Sequence, residues 1–306
     1  MRAIRLHAAG DLEGMGLDEI QTPTPRAGEA LVRVHAAAIT RDELEWPEDR
    51  LPAIPSYEVS GEVVAVAPDV DAVAVGDLVY ALTGFDRDGA AAEYIAVPAP
   101  LLAPKPITLD HIESAAVPMA AMSAWQGLVE HGRLEEGQRV LILGAAGGVG
   151  YLATQLACAR GAHVIASTSA ASTEVARALG AAEVMDIADV SLQEALEPVD
   201  LVFDTVGGEP LLHTPRIVRR GGTIVSIAEE PPEISSEAEV KSTYFVVEPN
   251  GEQLLDLTRL VDSGEMRPAV DSVFGLSEAR EAFARSMARG KRGKVVLRVA
   301  EEAVDG

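Results

Sequence analysis

The chain has 306 residues, room for two domains at about 150 residues each. Hydrophobic residues make up 48% and charged residues 24%, a balance that buries a large core and excludes a disordered polymer. Lys and Arg number 25 against 48 Asp and Glu, a formal charge of −23, which sets the chain against nucleic-acid backbones and anionic membrane surfaces as primary partners.

The one cysteine, Cys158, excludes an intrachain disulfide and any zinc site built from several thiolates. No run approaches the ~18 apolar residues that span a bilayer. Arg5, His7, Asp11 and Glu13 interrupt the N-terminal stretch before a signal-peptide core can form, so the expected location is the cytoplasm.

The first hundred residues read as strands. EALVRVHAAAI (29–39), YEVSGEVVAVAP (57–68), GDLVYAL (76–82) and AAEYIAVP (91–98) are short, rich in β-branched or aromatic residues, and bounded by Gly or Pro. That spacing predicts a barrel-like, mostly β region. The period then changes. QRVLILG (138–144) is a continuous apolar run, as for a strand buried on both faces. A helix over 149–161 ends at Gly161, AHVIAS (162–167) is a strand, and STEVARALG (172–180) is a helix with a Ser/Thr start and a Gly stop. EVMDI, VDLVFDTVG and GGTIVSIA supply further strands, and the alternation predicts a parallel α/β sheet. STYFVVEP (242–249) reads as another strand, GEQLLDLTRLVDSG (251–264) and SEAREAFARSMARG (277–290) as helices, KVVLRV (294–299) as a last strand, and EEAVDG as a frayed acidic tail.

Gly144-Ala145-Ala146-Gly147-Gly148-Val149-Gly150 lies between a predicted strand and a predicted helix. In that context it reads as a dinucleotide loop. Gly147 lets backbone approach a pyrophosphate, Gly150 lets the helix pack closely on the strand, and the helix N-terminus offers free N–H groups to the phosphates. The next strand ends in Ser167, Thr168 and Ser169 rather than in the Asp or Glu that would hold a ribose 2′-hydroxyl, with Arg177 further along as a cation. An added 2′-phosphate is not repelled there, which favours NADPH over NADH. The alternative is that these hydroxyl residues are simply loop residues.

With GEALVRVHAAAI, PSYEVSGEVVAVAPDVDAVAVGDLVYAL, AAEYIAVPA, SAAVPMAAMSAWQGL, RVLILGAAGGVG, ALGAAEVMD, DTVGG and RGKVVLRV in place, the chain resembles the medium-chain dehydrogenase/reductase superfamily over nearly its whole length, and within it the zinc-independent quinone oxidoreductase-like branch. The resemblance implies a Rossmann-type parallel sheet domain (118–266) inserted into a GroES-like, barrel-like substrate domain (1–117 plus 267–306). Zinc members carry a Cys and a Gly-His-Glu run as ligands. At the matching places stand Thr40 and Ser56-Tyr57-Glu58, and hydroxyls are poor neutral zinc ligands.

The expected activity is therefore a zinc-free, NADPH-dependent hydride transfer to a quinone or an α,β-unsaturated carbonyl. The alternatives are a pathway-specific enoyl or ketone reductase of a natural-product intermediate, and a non-catalytic NADPH-binding sensor. By family position Thr40 and Tyr57 are the catalytic candidates, each with the alternative of a turn or core residue. Trp46, in LEWPEDR, is either a cleft residue or a loop anchor. The resemblance assigns the cofactor to Ser123, Ala146, Gly147, Gly148, Val149, Ser167, Thr168, Ser169, Thr205, Val206, Ile227, Ala228, Phe245, Val246 and Val247. Lys294 reads as a strand flank, with closing the cleft as the alternative, and Cys158 as core packing. The segments 41–56 and 229–242 are expected to shape the pocket. The expected partner is a small quinone or enone, with STYFVVEP as an edge through which a homodimer can pair.

Overall fold

The computed structural model describes residues 1–47, 49–188, 196–233, 239–288 and 290–300. The tail 301–306 and part of the segment 229–242 lie outside the described residues. The chain divides into two compact units, one formed by Met1–Met119, Glu248–Ser263 and Pro268–Gly306, the other by Ala120–Val247 and Gly264–Arg267.

In the first unit Glu29–Ile39 is the central strand. It pairs antiparallel with Glu58–Val66 and Tyr94–Pro98, and its far end pairs with Lys294–Arg298 near the other end of the chain. Leu78–Leu82 and Ala103–Pro104 extend the sheet on one side and Val270–Gly275 on the other. Its alternating Val and Ala residues close a core with Val59, Val63, Val79 and Ile95. Arg2–Leu6 and Met15–Glu19 form a separate antiparallel pair that the sequence reading did not single out. The helix Gly251–Asp262, read with the nucleotide domain from sequence, packs in this unit. Asn250 caps it by accepting from the Gln253 amide, and the Tyr80 hydroxyl reaches the Leu254 carbonyl oxygen at 3.1 Å and the Thr258 hydroxyl at 2.8 Å.

Two histidines stack inside this unit. The His35 and His111 rings lie 4.3 Å apart and 15° from parallel, and Ser60 Oγ sits 2.8 Å from His111 Nδ1. Burial, then the charges of His35 and Lys105, pushes His111 down to about 3. The unfolded chain therefore takes up this proton first. Stability should fall as pH drops below about 6.5 and keep falling towards 3. A thermal melt series is expected to show this acid loss, and His111→Asn is expected to flatten it.

Among the described residues the second unit holds a six-stranded sheet, parallel throughout. Across it run Glu183–Asp186, His163–Thr168, Arg139–Leu143, Val199–Asp204, Val218–Ser226 and Lys241–Tyr244. The first strand in sequence is central, and the chain winds outward from it in both directions, the doubly wound order with its switch point beside Arg139–Leu143. Val140, Leu141, Ile142 and Leu143 are all fully buried, as the continuous apolar run requires. The strand expected over STYFVVEP stops at Tyr244. Beyond it the Phe245 amide still donates to the Ser226 carbonyl oxygen, while its ring packs on the His131 ring, with centroids 4.5 Å apart.

Candidate active site

In the second unit, Arg139–Leu143 ends where Gly144 turns with φ +81°. The Gly144 and Ala145 amides donate to the Ser167 carbonyl oxygen, and the Gly147 amide donates back to the Gly144 oxygen. The helix Gly148–Ala159 then begins with Gly147 as its cap and no side chain bonded to its first amides. Those N–H groups are the helix's unfilled donors. A Cβ on Gly150 would stand 2.1 Å from the Gly144 oxygen, so the helix meets the loop at a distance only glycine permits.

The neighbouring strand ends complete a cradle. Thr205 Oγ1 donates to the Leu143 carbonyl oxygen, and Thr205 and Val206 lie against Gly144. Ile227 donates to the Asp204 oxygen and Phe245 to the Ser226 oxygen. Asp204, unflagged by the sequence reading, organises both loops. Its carboxylate accepts from the Val206 and Gly207 amides and from the Ser226 hydroxyl, while Ser226 Oγ accepts from the Ala228 and Glu229 amides. Burial raises the Asp204 carboxyl, against the pull of these donors.

Ser167 is fully buried and its Oγ has no protein partner, a polar atom a ligand hydroxyl could satisfy. Thr168 is buried, Ser169 is exposed, and Arg177 is paired with Glu174 rather than free to meet a phosphate. Ala146 is buried, Gly148 and Val149 are half-buried, and Gly147 faces solvent. Ile227 is half-buried and Ala228 exposed. Val246 is exposed and Val247 buried, and Ser123 is buried on the helix Pro118–Trp125. The residues therefore fit a dinucleotide: free helix amides for a pyrophosphate, glycine clearance, and an unsatisfied hydroxyl at the strand end. Cys158 is half-buried beside Gly180, and burial raises its thiol, away from the thiolate that reacts.

In the first unit, Thr40 follows the central strand and is half-exposed. Its hydroxyl donates to Met119 Sδ at 3.0 Å and accepts from Lys294 Nζ at 2.9 Å. Lys294 also pairs with the Glu58 carboxylate, which is fully buried and accepts from the Met119 amide. Glu43, also fully buried, accepts from the Thr40 and Ser56 amides and is pushed up to about 8 by burial, with Lys294 pulling the other way. Lys294 is thus not a mere strand flank.

Tyr57 is fully buried and its hydroxyl accepts from Arg50 at 3.1 Å. Its ring forms an aromatic cluster with Trp46, 5.6 Å away and 29° from parallel, and with Phe85, 5.4 Å away and edge-on. Trp46 is 38% exposed, so the cluster is partly open to solvent at its indole.

These elements match known proteins. Residues 26–107 match the alcohol dehydrogenase GroES-like domain, and residues 179–297 match the zinc-binding dehydrogenase model. The 2-methylene-furan-3-one reductase of Solanum lycopersicum is 33% identical over 91% of this chain and 74% of its own. The chain belongs to the medium-chain dehydrogenase/reductase superfamily. Within the superfamily it falls in the zinc-independent quinone oxidoreductase-like branch, and it is an oxidoreductase. The chloroplastic NADPH-dependent alkenal/one oxidoreductase of Arabidopsis thaliana is also 33% identical, over 91% of this chain and 74% of its own. The quinone oxidoreductase structure from Coxiella burnetii superposes with a TM-score of 0.89 at 30% identity, covering 98% of this chain and 99% of that one. Among the described residues no helix is long and apolar enough to cross a membrane.

Proposed function

We propose that the chain is an NADPH-dependent reductase that transfers hydride to a quinone or an α,β-unsaturated carbonyl without a metal. The observation that carries the cofactor reading is the buried, unpartnered Ser167 hydroxyl beside the Gly144–Gly150 cradle. The preference for NADPH rests on Ser167-Thr168-Ser169, where no carboxylate opposes a 2′-phosphate, and accords with the NADPH-dependent relative. The metal-free reading is supported by the donor chemistry. Thr40, Ser56 and Tyr57 stand where zinc members carry thiolate and imidazole ligands, and an ammonium group stands beside Thr40.

A bound reduced nicotinamide supplies the hydride. The helix amides after Gly147 hold its diphosphate, and Thr205, Val206, Ile227 and Ala228, set by Asp204, line its sugar and base. Ser123 and the backbone of Phe245–Val247 hold the carboxamide end. Thr40 meets the acceptor oxygen, and the Trp46 face, backed by Tyr57 and Phe85, stacks on a flat conjugated acceptor. That face favours a quinone. The same reading makes Lys241–Tyr244, an edge strand, the homodimer contact.

The test is loss of reduced-nicotinamide absorbance with NADPH or NADH and a benzoquinone, a phenanthrenequinone, an alkenal or a cyclic enone, each with and without chelator. Chelator-insensitive turnover with NADPH, fastest on the flat quinone, is expected. Saturable binding with no turnover on any acceptor sinks the reading in favour of a sensor or a narrow biosynthetic substrate.

A further inference from the structure

Lys294 and Thr40 stand 254 residues apart in sequence, and their contact is made by the pairing of Lys294–Arg298 with the end of Glu29–Ile39. An ammonium group has hydrogens to give and no lone pair to receive with. Lys294 therefore occupies one of the two lone pairs of Thr40 Oγ1 and leaves the hydroxyl's own hydrogen to be given away. At rest the hydrogen points at Met119 Sδ, a weak acceptor, so turning it to a better one costs little. Glu58 pins the ammonium from the other side with a carboxylate that water does not reach. The result is a polarised donor, half-exposed at Thr40, with a cation directly behind it.

From this geometry we propose that Lys294 is a positioning residue of the reaction centre, fixing Thr40 as the donor to the acceptor oxygen on which negative charge grows. This rests on the reduction reading above. Hydride adds to a carbon of the conjugated acceptor, which gains two electrons, while the reduced nicotinamide is oxidised by the same two. The acceptor's π pair moves onto its oxygen, and water supplies the completing proton. Thr40 bonds the charged oxygen, and Lys294 holds Thr40 and offsets the charge. Preorganised donors of this kind act where charge develops, and removing one costs roughly 100-fold or more in turnover.

The test uses para-nitrophenol, a flat phenol that models the charged oxygen and needs no hydride transfer. Bound to the full chain, with and without NADP⁺, its spectroscopic ionisation midpoint is expected below its value in water. Thr40→Val and Lys294→Met should each return the midpoint to that value, and Lys294→Arg should keep part of the shift. Lys294→Met leaves Glu58 buried without a counter-charge, so the pair Lys294→Met/Glu58→Gln is the folded control, and it too should lose the shift. In turnover, Lys294→Met/Glu58→Gln should lower kcat roughly 100-fold with KM for NADPH unchanged, and adding it to Thr40→Val should cost little more, because the two act in series.

A wild-type chain that leaves the midpoint unmoved overturns the proposal. So does a folded Lys294→Met/Glu58→Gln variant that keeps both the shift and kcat. A Lys294-dependent shift in a chain that turns over no acceptor upholds the dyad and sinks the reduction reading. Turnover indifferent to Lys294 does the reverse.

Discussion

Gly150→Ala is expected to abolish dinucleotide binding and to lower the melting temperature by several degrees. The added Cβ would lie 2.1 Å from the Gly144 carbonyl oxygen, 2.7 Å from its carbon and 2.9 Å from Ala145 Cα. All three are backbone atoms, so no side chain can swing aside. The Gly144 oxygen also accepts from the Gly147 amide, so shifting it disturbs the loop that presents the helix amides. Overpacking of this kind costs about 1–3 kcal/mol. Gly147→Ala separates binding from folding. Its Cβ meets only the Gly144 oxygen, at 3.2 Å, and Gly147 faces solvent. That variant should melt near the wild-type temperature yet bind NADPH more weakly, read by fluorescence titration. Full NADPH affinity in Gly150→Ala would refute the cradle.

Lys294→Met is expected to destabilise the first unit by about 3–5 kcal/mol, the cost of leaving a buried charge without its partner. Glu58 is fully buried and Lys294 nearly so, and water cannot replace the lost ammonium. Lys294→Met/Glu58→Gln should recover most of the loss, because the glutamine oxygen still accepts from the Met119 amide that Glu58 holds at 2.9 Å. Arg220→Ala, which breaks an exposed pair with Glu239, should cost little. Chemical denaturation of the four chains checks the ranking. A Lys294→Met chain as stable as the wild type would mean that the pair contributes nothing to the unit's stability.

The second unit was readable because its rules are local. A continuous apolar strand, a glycine-rich turn and a helix must follow one another within a short span, and the glycines are required by distances inside that span. The dinucleotide cradle inherits this legibility. The first unit's centre does not. Lys294 meets Thr40 and Glu58 only because a strand from the end of the chain closes the sheet beside one from its beginning, and nothing in RGKVVLRV signals a partner so distant. Tyr57 shows the converse. Its position in the chain marked it as a hydroxyl that could meet the substrate, with a packed core residue as the alternative, but only tertiary packing shows that it is buried and that Arg50 donates to it. The strand read over STYFVVEP ran too far because Phe245 satisfies its apolar character against His131 instead of a neighbouring strand. The helix Gly251–Asp262 was legible as a helix, but the unit it joins depends on Tyr80, far back in the sequence.

Asp204 ties the motions of two loops together. One carboxylate holds the Val206 and Gly207 amides and, through Ser226, those of Ala228 and Glu229. Neither loop can expose its amides to solvent hydrogen without loosening the grip that keeps the other closed. Such openings are shared, so the four amides exchange as one cooperative patch rather than as two frayed ends. A ligand that quiets either loop quiets both, and ordering the second then costs less than ordering the first.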